Sequence, residues 1–410
     1  MKRIIGGMAL AGMAALGLLG AQDPAAPHRI QRVENGLWDV KFGPKGREII
    51  PASISLAPRM KSLNVPGVSI VVIEGNKIVW SKCYGLLRAD SREPVTESSL
   101  FEAASTSKLV TAAIALHFVE MGKLALDEDV NNFLRSWKVP ENEFTREQKV
   151  TLRRLLTHQA GLPSTAYDQD AKLGDPTLIQ VLKGELPAKN KPAVPELVPG
   201  SRWQYSNVGY NVIQLLLEDT LGKPFAEIAR ETVLGPLGLS SSTFVYPLSQ
   251  EMRKREAMPH DEKGVPGRPG MHLTALAHGG LMTTPSDLAR FTIALMEAYQ
   301  GRTGGVFSSG LVRMMLSAEL GLDPGMFGGD DPLAEGLGVI LLGRKPVFSF
   351  LHPGSNMPGT TSWLEGCPET GQGAIIMTNG AGGELLAIQI RAAIAQEYGW
   401  PIGPTLSMKK

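Results

Sequence analysis

Cysteine is scarce, with only Cys83 and Cys367 in a chain of 410 residues. That excludes a disulfide scaffold and a thiolate zinc site. An excess of charge of either sign is missing too. Lys plus Arg number 41 against 40 Asp plus Glu, the formal net charge is +1, and no long basic run occurs. Nucleic-acid binders usually carry a basic excess or stripe, so no nucleic-acid partner is expected. Beyond the first 21 residues no stretch is apolar enough to span a bilayer. Several catalytic signatures are also absent: there is no G-x-S-x-G elbow, H-E-x-x-H pair, Walker sequence or EF-hand loop. Seven histidines are scattered, and no two have metal-ligand spacing on a helix. Neither a metal nor another cofactor is expected. What remains is ordinary globular composition, 43% hydrophobic and 20% charged. The length suits two domains, or one large domain with an insertion.

The N-terminus carries an address. Lys2 and Arg3 precede an uncharged run from Ile4 to about Ala21, followed by Gln22, Asp23 and Pro24. This reads as a secretory signal over residues 1–21 and implies an exported protein, periplasmic or secreted. An uncleaved N-terminal membrane anchor is the rival reading, and it is the one membrane partner the sequence suggests. Without Lys2 and Arg3 the net charge is about −1, still near neutral. Export places Cys83 and Cys367 in an oxidising space where they can pair. Their apolar, strand-like surroundings favour two buried thiols instead.

Strand signals occur at both ends of the chain and helical signals fill its middle. Residues 22–49 read as an extended N-terminal arm leading to a helix around Ser53–Ser62. Val68–Ile73, the turn Glu74-Gly75-Asn76 and Lys77–Tyr84 read as a hairpin. Leu109–Met121 is an apolar helix stopped by Gly122. Residues 123–160 read as helical with short loops, and 162–201 as a long surface loop rich in Pro, Gly and Lys. Asn207–Leu221 and Phe225–Val233 read as helices. Thr284-Pro285-Ser286-Asp287 caps another over Leu288–Ala298. Leu337–Leu342, Val347–Leu351, Thr360–Leu364 and Ala374–Thr378 are short β-type runs. Gly321–Glu335 reads as a loop, and Glu384–Tyr398 as an amphipathic helix. The economical architecture is α/β in the sandwich sense: an antiparallel sheet flanked by helices, with an inserted all-α domain. The boundaries follow as 50–115 with 275–410 for the α/β part and 116–274 for the insertion.

Three short motifs can carry chemistry. Ser105-Thr106-Ser107-Lys108 begins the most apolar helix, and positions three apart share a helix face. Lys108 then lies beside the Ser105 hydroxyl, where burial and the helix start both favour a neutral amine able to take the serine proton. The same residues taken alone also read as a capping serine and a solvated lysine. A second S-x-x-K, Ser407–Lys410, sits at the terminus and carries no meaning. Tyr205-Ser206-Asn207 offers a phenol that can act as a base and an amide that both donates and accepts, although it also reads as a turn before a helix. His352-Pro353-Gly354, followed by Ser355, combines a switchable charge with a glycine that permits close approach, and equally reads as a strand-end turn. His158, in Leu155-Leu156-Thr157-His158, reads as structural.

Taken together, Ser105-x-x-Lys108, Tyr205-x-Asn207 and His352-x-Gly354 resemble the serine β-lactamase and penicillin-binding superfamily. The resemblance is closest to the branch of class C β-lactamases, DD-peptidases and family VIII carboxylesterases. Val65-Pro66-Gly67-Val68-Ser69, Leu155–Leu162, Pro236-Leu237-Gly238-Leu239, Gly279–Thr284 and Met377-Thr378-Asn379-Gly380 extend it over about residues 50 to 400. It implies a β-lactamase/transpeptidase-like fold and an acyl-enzyme mechanism without a cofactor. By that resemblance Ser105 is the nucleophile, Lys108 assists its deprotonation and Tyr205 is the shared base. Asn207 binds the substrate carbonyl side and steadies Lys108. His352 and Gly354 line the cleft, and the N–H groups of Ser105 and Ser355 form the oxyanion hole.

The family's usual Lys-Thr-Gly is replaced here by His352-Pro353-Gly354. Pro353 has no hydroxyl to grip a carboxylate, and His352 is only partly charged at neutral pH. Proline is tolerated at a sheet edge, where this strand is expected. No E-x-x-L-N-like sequence occurs in 162–200, which leaves deacylation to Tyr205. The first functional reading is therefore a carboxylesterase for small to medium acyl esters. The alternative is a DD-peptidase or β-lactamase, acting on peptidoglycan-type peptides or β-lactams. A penicillin-type binding or sensor protein that does not turn over is a lesser alternative.

Overall fold

The computed structural model describes residues 25–402 except 44–45, 166–167, 171, 268–273 and 328–330. The signal expected over 1–21 and the second S-x-x-K at Ser407–Lys410 lie outside the described residues. So do Gln22, Asp23 and Pro24.

Twelve strands are described: β1 Leu37–Gly43, β2 Gly46–Ile54, β3 Gly67–Glu74, β4 Lys77–Gly85, β5 Phe101–Glu102, β6 Met282–Thr283, β7 Leu320–Leu322, β8 Leu333–Glu335, β9 Ile340–Arg344, β10 Val347–Asn356, β11 Thr360–Cys367 and β12 Gln372–Thr378. Eight form one antiparallel sheet in the order β4-β3-β12-β11-β10-β9-β8-β7. The expected joining of both chain ends therefore happens at the β3–β12 pair, with Ile70 opposite Ile376. Among the described residues between β5 and β6, none joins this sheet.

The apolar run of β3 has a simple cause. Side chains alternate across a strand, and both faces of this one are covered. Val71 and Ile73 enter a core shared with the helices Ser107–Glu120, Asn207–Leu221 and Pro285–Tyr299. Val68, Ile70 and Val72 enter a second core with the helix Gly383–Glu397. That terminal helix was expected to be amphipathic. It is instead buried nearly all round, because the β1–β2 hairpin covers its outer side through Leu37, Trp38 and Val40. Its one charged interior residue, Arg391, is held by the buried Glu365 at 2.8 and 2.9 Å.

Other expectations need correction. Residues 22–49 are not extended where described: Pro27 starts a helix, Ala26–Asn35, and the β1–β2 hairpin follows. Ser53 and Ile54 end β2, so the next helix begins only at Leu56. The segment 123–160 is mostly irregular, with 3₁₀ turns at Val130–Asn132 and Glu143–Thr145 and one short helix, Leu152–Leu156. The 162–201 loop contains the helix Leu178–Lys183, started by a Thr177–Gln180 capping box and buried through Val181 and Leu182. The helix from Phe225 widens to π-helical turns over Arg230–Leu234. Gly321–Glu335 is not wholly loop, since β7 and β8 occupy its ends and pair with each other. The thiols of Cys83 and Cys367 are free. They lie on β4 and β11, three strand spacings or roughly 14 Å apart across the sheet alone, which is beyond disulfide reach.

Candidate active site

The nucleophile candidate is placed by a tight turn. After β5 the backbone passes through Ala104 at φ +46°, a left-handed conformation uncommon for alanine. A 3₁₀ turn, Ala104–Thr106, then feeds the helix Ser107–Glu120. Three contacts pin this start to the sheet and to β6. Thr106 Oγ1 donates to the His352 carbonyl at 2.9 Å, Ser362 Oγ donates to the Ala103 carbonyl at 2.5 Å, and Ala103 N donates to the Leu281 carbonyl at 2.8 Å. Ser105 is thereby left partly exposed while its neighbours are buried.

Two side chains converge on Ser105 Oγ. Lys108 Nζ donates to it at 3.1 Å and the Tyr205 hydroxyl at 2.9 Å. Lys108 is fully buried and packs between the rings of Tyr205, 4.9 Å to the centroid, and Tyr210, 5.5 Å. Nζ also donates to the His278 carbonyl at 2.6 Å. Burial drives the Lys108 pKa well below that of an ordinary lysine. Burial also raises Tyr205 strongly, against the lowering influence of its hydrogen bond to Ser105. The resting site thus favours a neutral amine beside a protonated phenol.

Asn207 behaves differently from expectation. Its Nδ2 donates to the Thr165 carbonyl at 3.4 Å, and its buried Oδ1 has no hydrogen-bond partner. It does not bond Lys108, whose Nζ is taken by Ser105 and His278. Ser206 caps the helix Asn207–Leu221 by accepting from Gly209 N.

The strand β10 forms the other wall. It is not the sheet's edge strand, since β9 and β11 flank it, but β9 pairs with it only as far as Leu351. Residues 352–356 therefore have β11 on one side and an open edge on the other. Gly343 N bonds toward β8, so Leu342 and Arg344 bond toward β10, opposite Ser349 and Val347. Alternation along β10 then turns the backbone groups of Pro353 and Ser355 to the open edge. Proline is tolerated there because no ladder bond needs its missing N–H. Gly354 faces Ser105: a Cβ at this position would lie 2.8 Å from Ser105 N. His352 is buried, and burial lowers its pKa to about 3. The partial charge expected of it at neutral pH is therefore absent. Its Nδ1–H donates to the Pro353 carbonyl at 2.8 Å.

Several residues that shape the site escaped the sequence reading. His278 contributes a carbonyl, which no side-chain pattern announces. Tyr210 and Trp203 lie within the resemblance but in no motif. Trp203 Nε1 donates to the buried Glu335 at 3.1 Å, and burial keeps that carboxyl well above the usual range. No group of three or more His, Cys, Asp or Glu able to hold a metal occurs among the described residues.

A family model for Beta-lactamase matches residues 55–398, so the chain belongs to the Beta-lactamase family. Among curated relatives, a β-lactamase of Pseudomonas fluorescens is 29% identical over 247 residues, 60% of this chain and 63% of that protein. Protein flp of Staphylococcus aureus (strain N315) is 24% identical, covering 55% of this chain and 44% of that one. The matched region thus spans less than two thirds of each of these relatives. Of solved structures, an octameric penicillin-binding protein homologue from Pyrococcus abyssi superposes with a TM-score of 0.69 at 26% identity, covering 85% of this chain and 76% of that one. A D-alanine carboxypeptidase AmpC from Burkholderia cenocepacia shares the fold with a TM-score of 0.64 at 21% identity, covering 83% and 96%.

Proposed function

We propose that the chain is a serine hydrolase that works through an acyl-enzyme at Ser105, and that its preferred substrates are small to medium acyl esters. The observation that carries the ester preference is the open edge of β10. Pro353 offers no N–H and no hydroxyl there, its carbonyl already accepts from His352, and His352 is uncharged. At position 353 a substrate carboxylate finds neither a cation nor a hydroxyl, and an extended peptide finds no donor there.

In acylation Ser105 Oγ attacks the ester carbonyl while its proton passes to neutral Lys108. The N–H groups of Ser105 and Ser355 hold the oxyanion. The C–O bond breaks, the leaving alkoxide takes the Tyr205 proton, and the Lys108 ammonium returns a proton to Tyr205. Water then attacks the acyl group by the reverse relay and restores Ser105.

A DD-peptidase or β-lactamase reading is supported by the names of the relatives and by the same Ser105, Lys108 and Tyr205 geometry. The deciding experiment is a panel of p-nitrophenyl esters of graded length, nitrocefin and a D-Ala-D-Ala peptide, on wild type and Ser105→Ala, with intact mass. Ester turnover abolished in Ser105→Ala and exceeding the other two activities supports the proposal. Ester turnover unchanged in Ser105→Ala overturns it. Faster nitrocefin or peptide turnover moves the assignment to the alternative, and a stable adduct without turnover makes the chain a sensor. We further propose that the chain acts after export.

A further inference from the structure

We propose that His158 is a positioning residue for Tyr205, holding the phenol on Ser105 through both of its backbone neighbours. This rests on the Ser105–Tyr205 centre proposed above. His158 sits just past the helix Leu152–Leu156 with φ +55°, a conformation costly for a residue with a Cβ. Two bonds and a ring contact gain from it. The His158 carbonyl accepts from Gln204 N at 2.7 Å, and its Nδ1 accepts from Ser206 N at 3.1 Å. These residues flank Tyr205 on either side. The His158 ring also packs against the Tyr205 ring, with centroids 4.4 Å apart.

An imidazole that accepts at Nδ1 is neutral with its proton on Nε2. Burial holds it in that form. A charged ring would place an N–H where Ser206 N–H must be accepted and would release one anchor. The segment Trp203–Ser206 precedes the helix, and its other anchors are side chains: Gln204 Nε2 reaches the Leu162 carbonyl, Ser206 Oγ the Pro163 carbonyl and Trp203 Nε1 the Glu335 carboxyl. His158 is thus the residue that fixes the height and tilt of the phenol.

The roles of side chain and backbone can be separated. Asparagine at 158 puts its Oδ1 near the place of Nδ1 and tolerates positive φ. Glutamine carries its acceptor one carbon too far, and alanine has none. The experiment measures kcat and KM for His158→Ala, His158→Asn and His158→Gln on the best-turned-over substrate. Rates are normalised to Ser105 sites titrated by a covalent phosphonate, with folding followed by circular dichroism. Misplacing a catalytic group by about 1 Å costs about 10²-fold in rate. The expected result is a kcat loss of about that size in His158→Ala, with KM changed less than about threefold, and clear recovery in His158→Asn but not in His158→Gln. If His158→Ala does not fold, the Asn–Gln comparison alone decides. Equal rates per titrated site in the variants and the wild type, or Asn no better than Gln, overturn the proposal. Tyr205→Phe is the control: if it retains full turnover the centre itself is wrongly assigned, whereas loss there with a wild-type rate in His158→Ala defeats only the positioning role.

Discussion

Gly354 and Ser105 are too close for a side chain to stand between them. A Cβ at 354 would lie 2.8 Å from Ser105 N, 2.4 Å from the Ala103 carbonyl oxygen and 2.7 Å from Ser362 Oγ. Two of these three atoms are backbone and cannot swing aside. Gly354→Ala is therefore expected to push the Ser105 turn off β10, losing about 1–3 kcal/mol of stability as overpacked sites do. Turnover of the preferred substrate should fall by more than that loss implies, because Ser105 moves with the turn. Urea unfolding and kcat per folded molecule check both halves.

Lys108 gives stability a pH slope of predictable sign. Its pKa in the fold lies well below the unfolded value of 10.5. Between those two values the unfolded chain binds the extra proton, so stability rises with pH across that window and levels off above it. Lys108→Met, similar in length and apolar, should flatten the slope and raise stability near neutral pH. The same change should lower turnover by about 10²-fold or more, the usual size of a proton-transfer contribution. Urea titrations at several pH values, with activity measured alongside, test the pair of outcomes.

His352 adds an acid-side slope. Its pKa falls from 6.5 unfolded to about 3 in the fold, so the unfolded chain gains the proton first as pH falls. Stability linked to this residue is whole above pH 6.5 and is lost progressively towards pH 3. His352→Asn keeps a donor near the Pro353 carbonyl but does not titrate. The difference in unfolding free energy between wild type and this variant should therefore shrink or reverse as pH drops from 7 to 4.

The fold was legible where one force acted alone. The fully apolar β3 and the capped Thr284-Pro285 helix start follow from local rules, and Thr284 Oγ1 does accept from Asp287 N. The β1–β2 hairpin and the strands β7 and β8 were missed because their stability is tertiary. Trp38 packs on a helix some 350 residues further along, and β7 and β8 merely extend the edge of a sheet built from longer strands. The site was legible through side chains with motif spacing, Ser105, Lys108 and Tyr205. It was illegible where the chain contributes backbone or burial. The His278 carbonyl, the packing that makes His352 neutral and the backbone bonds of His158 have no one-dimensional signature.

Glu365 and Arg391 make the buried ion pair that joins β11 to the terminal helix, both virtually inaccessible to solvent. Ser349 Oγ and Trp363 Nε1 also donate to Glu365. Removing one partner of such a pair usually costs about 3–5 kcal/mol. Glu365→Ala should destabilise by that amount in denaturant titration while leaving KM of the folded fraction unchanged, since neither residue reaches the cleft.

Pro353 is the position where one substitution should redirect specificity. Its backbone faces the open edge of β10 two residues before Ser355, and Thr at 353 would supply both an N–H and a hydroxyl there. The extra donor suits an extended peptide lying along the strand, and the hydroxyl suits a carboxylate. Neither helps a simple ester, whose carbonyl depends on Ser105 and Ser355. Pro353→Thr should therefore raise kcat/KM for nitrocefin or a D-Ala-D-Ala peptide relative to a p-nitrophenyl ester by about tenfold, the worth of one added neutral hydrogen bond. Because β11 pairs with this segment through Asn356, the strand should keep its place and thermal stability should change little. If the ratio of the two activities does not move, the edge of β10 is not what sets the preference.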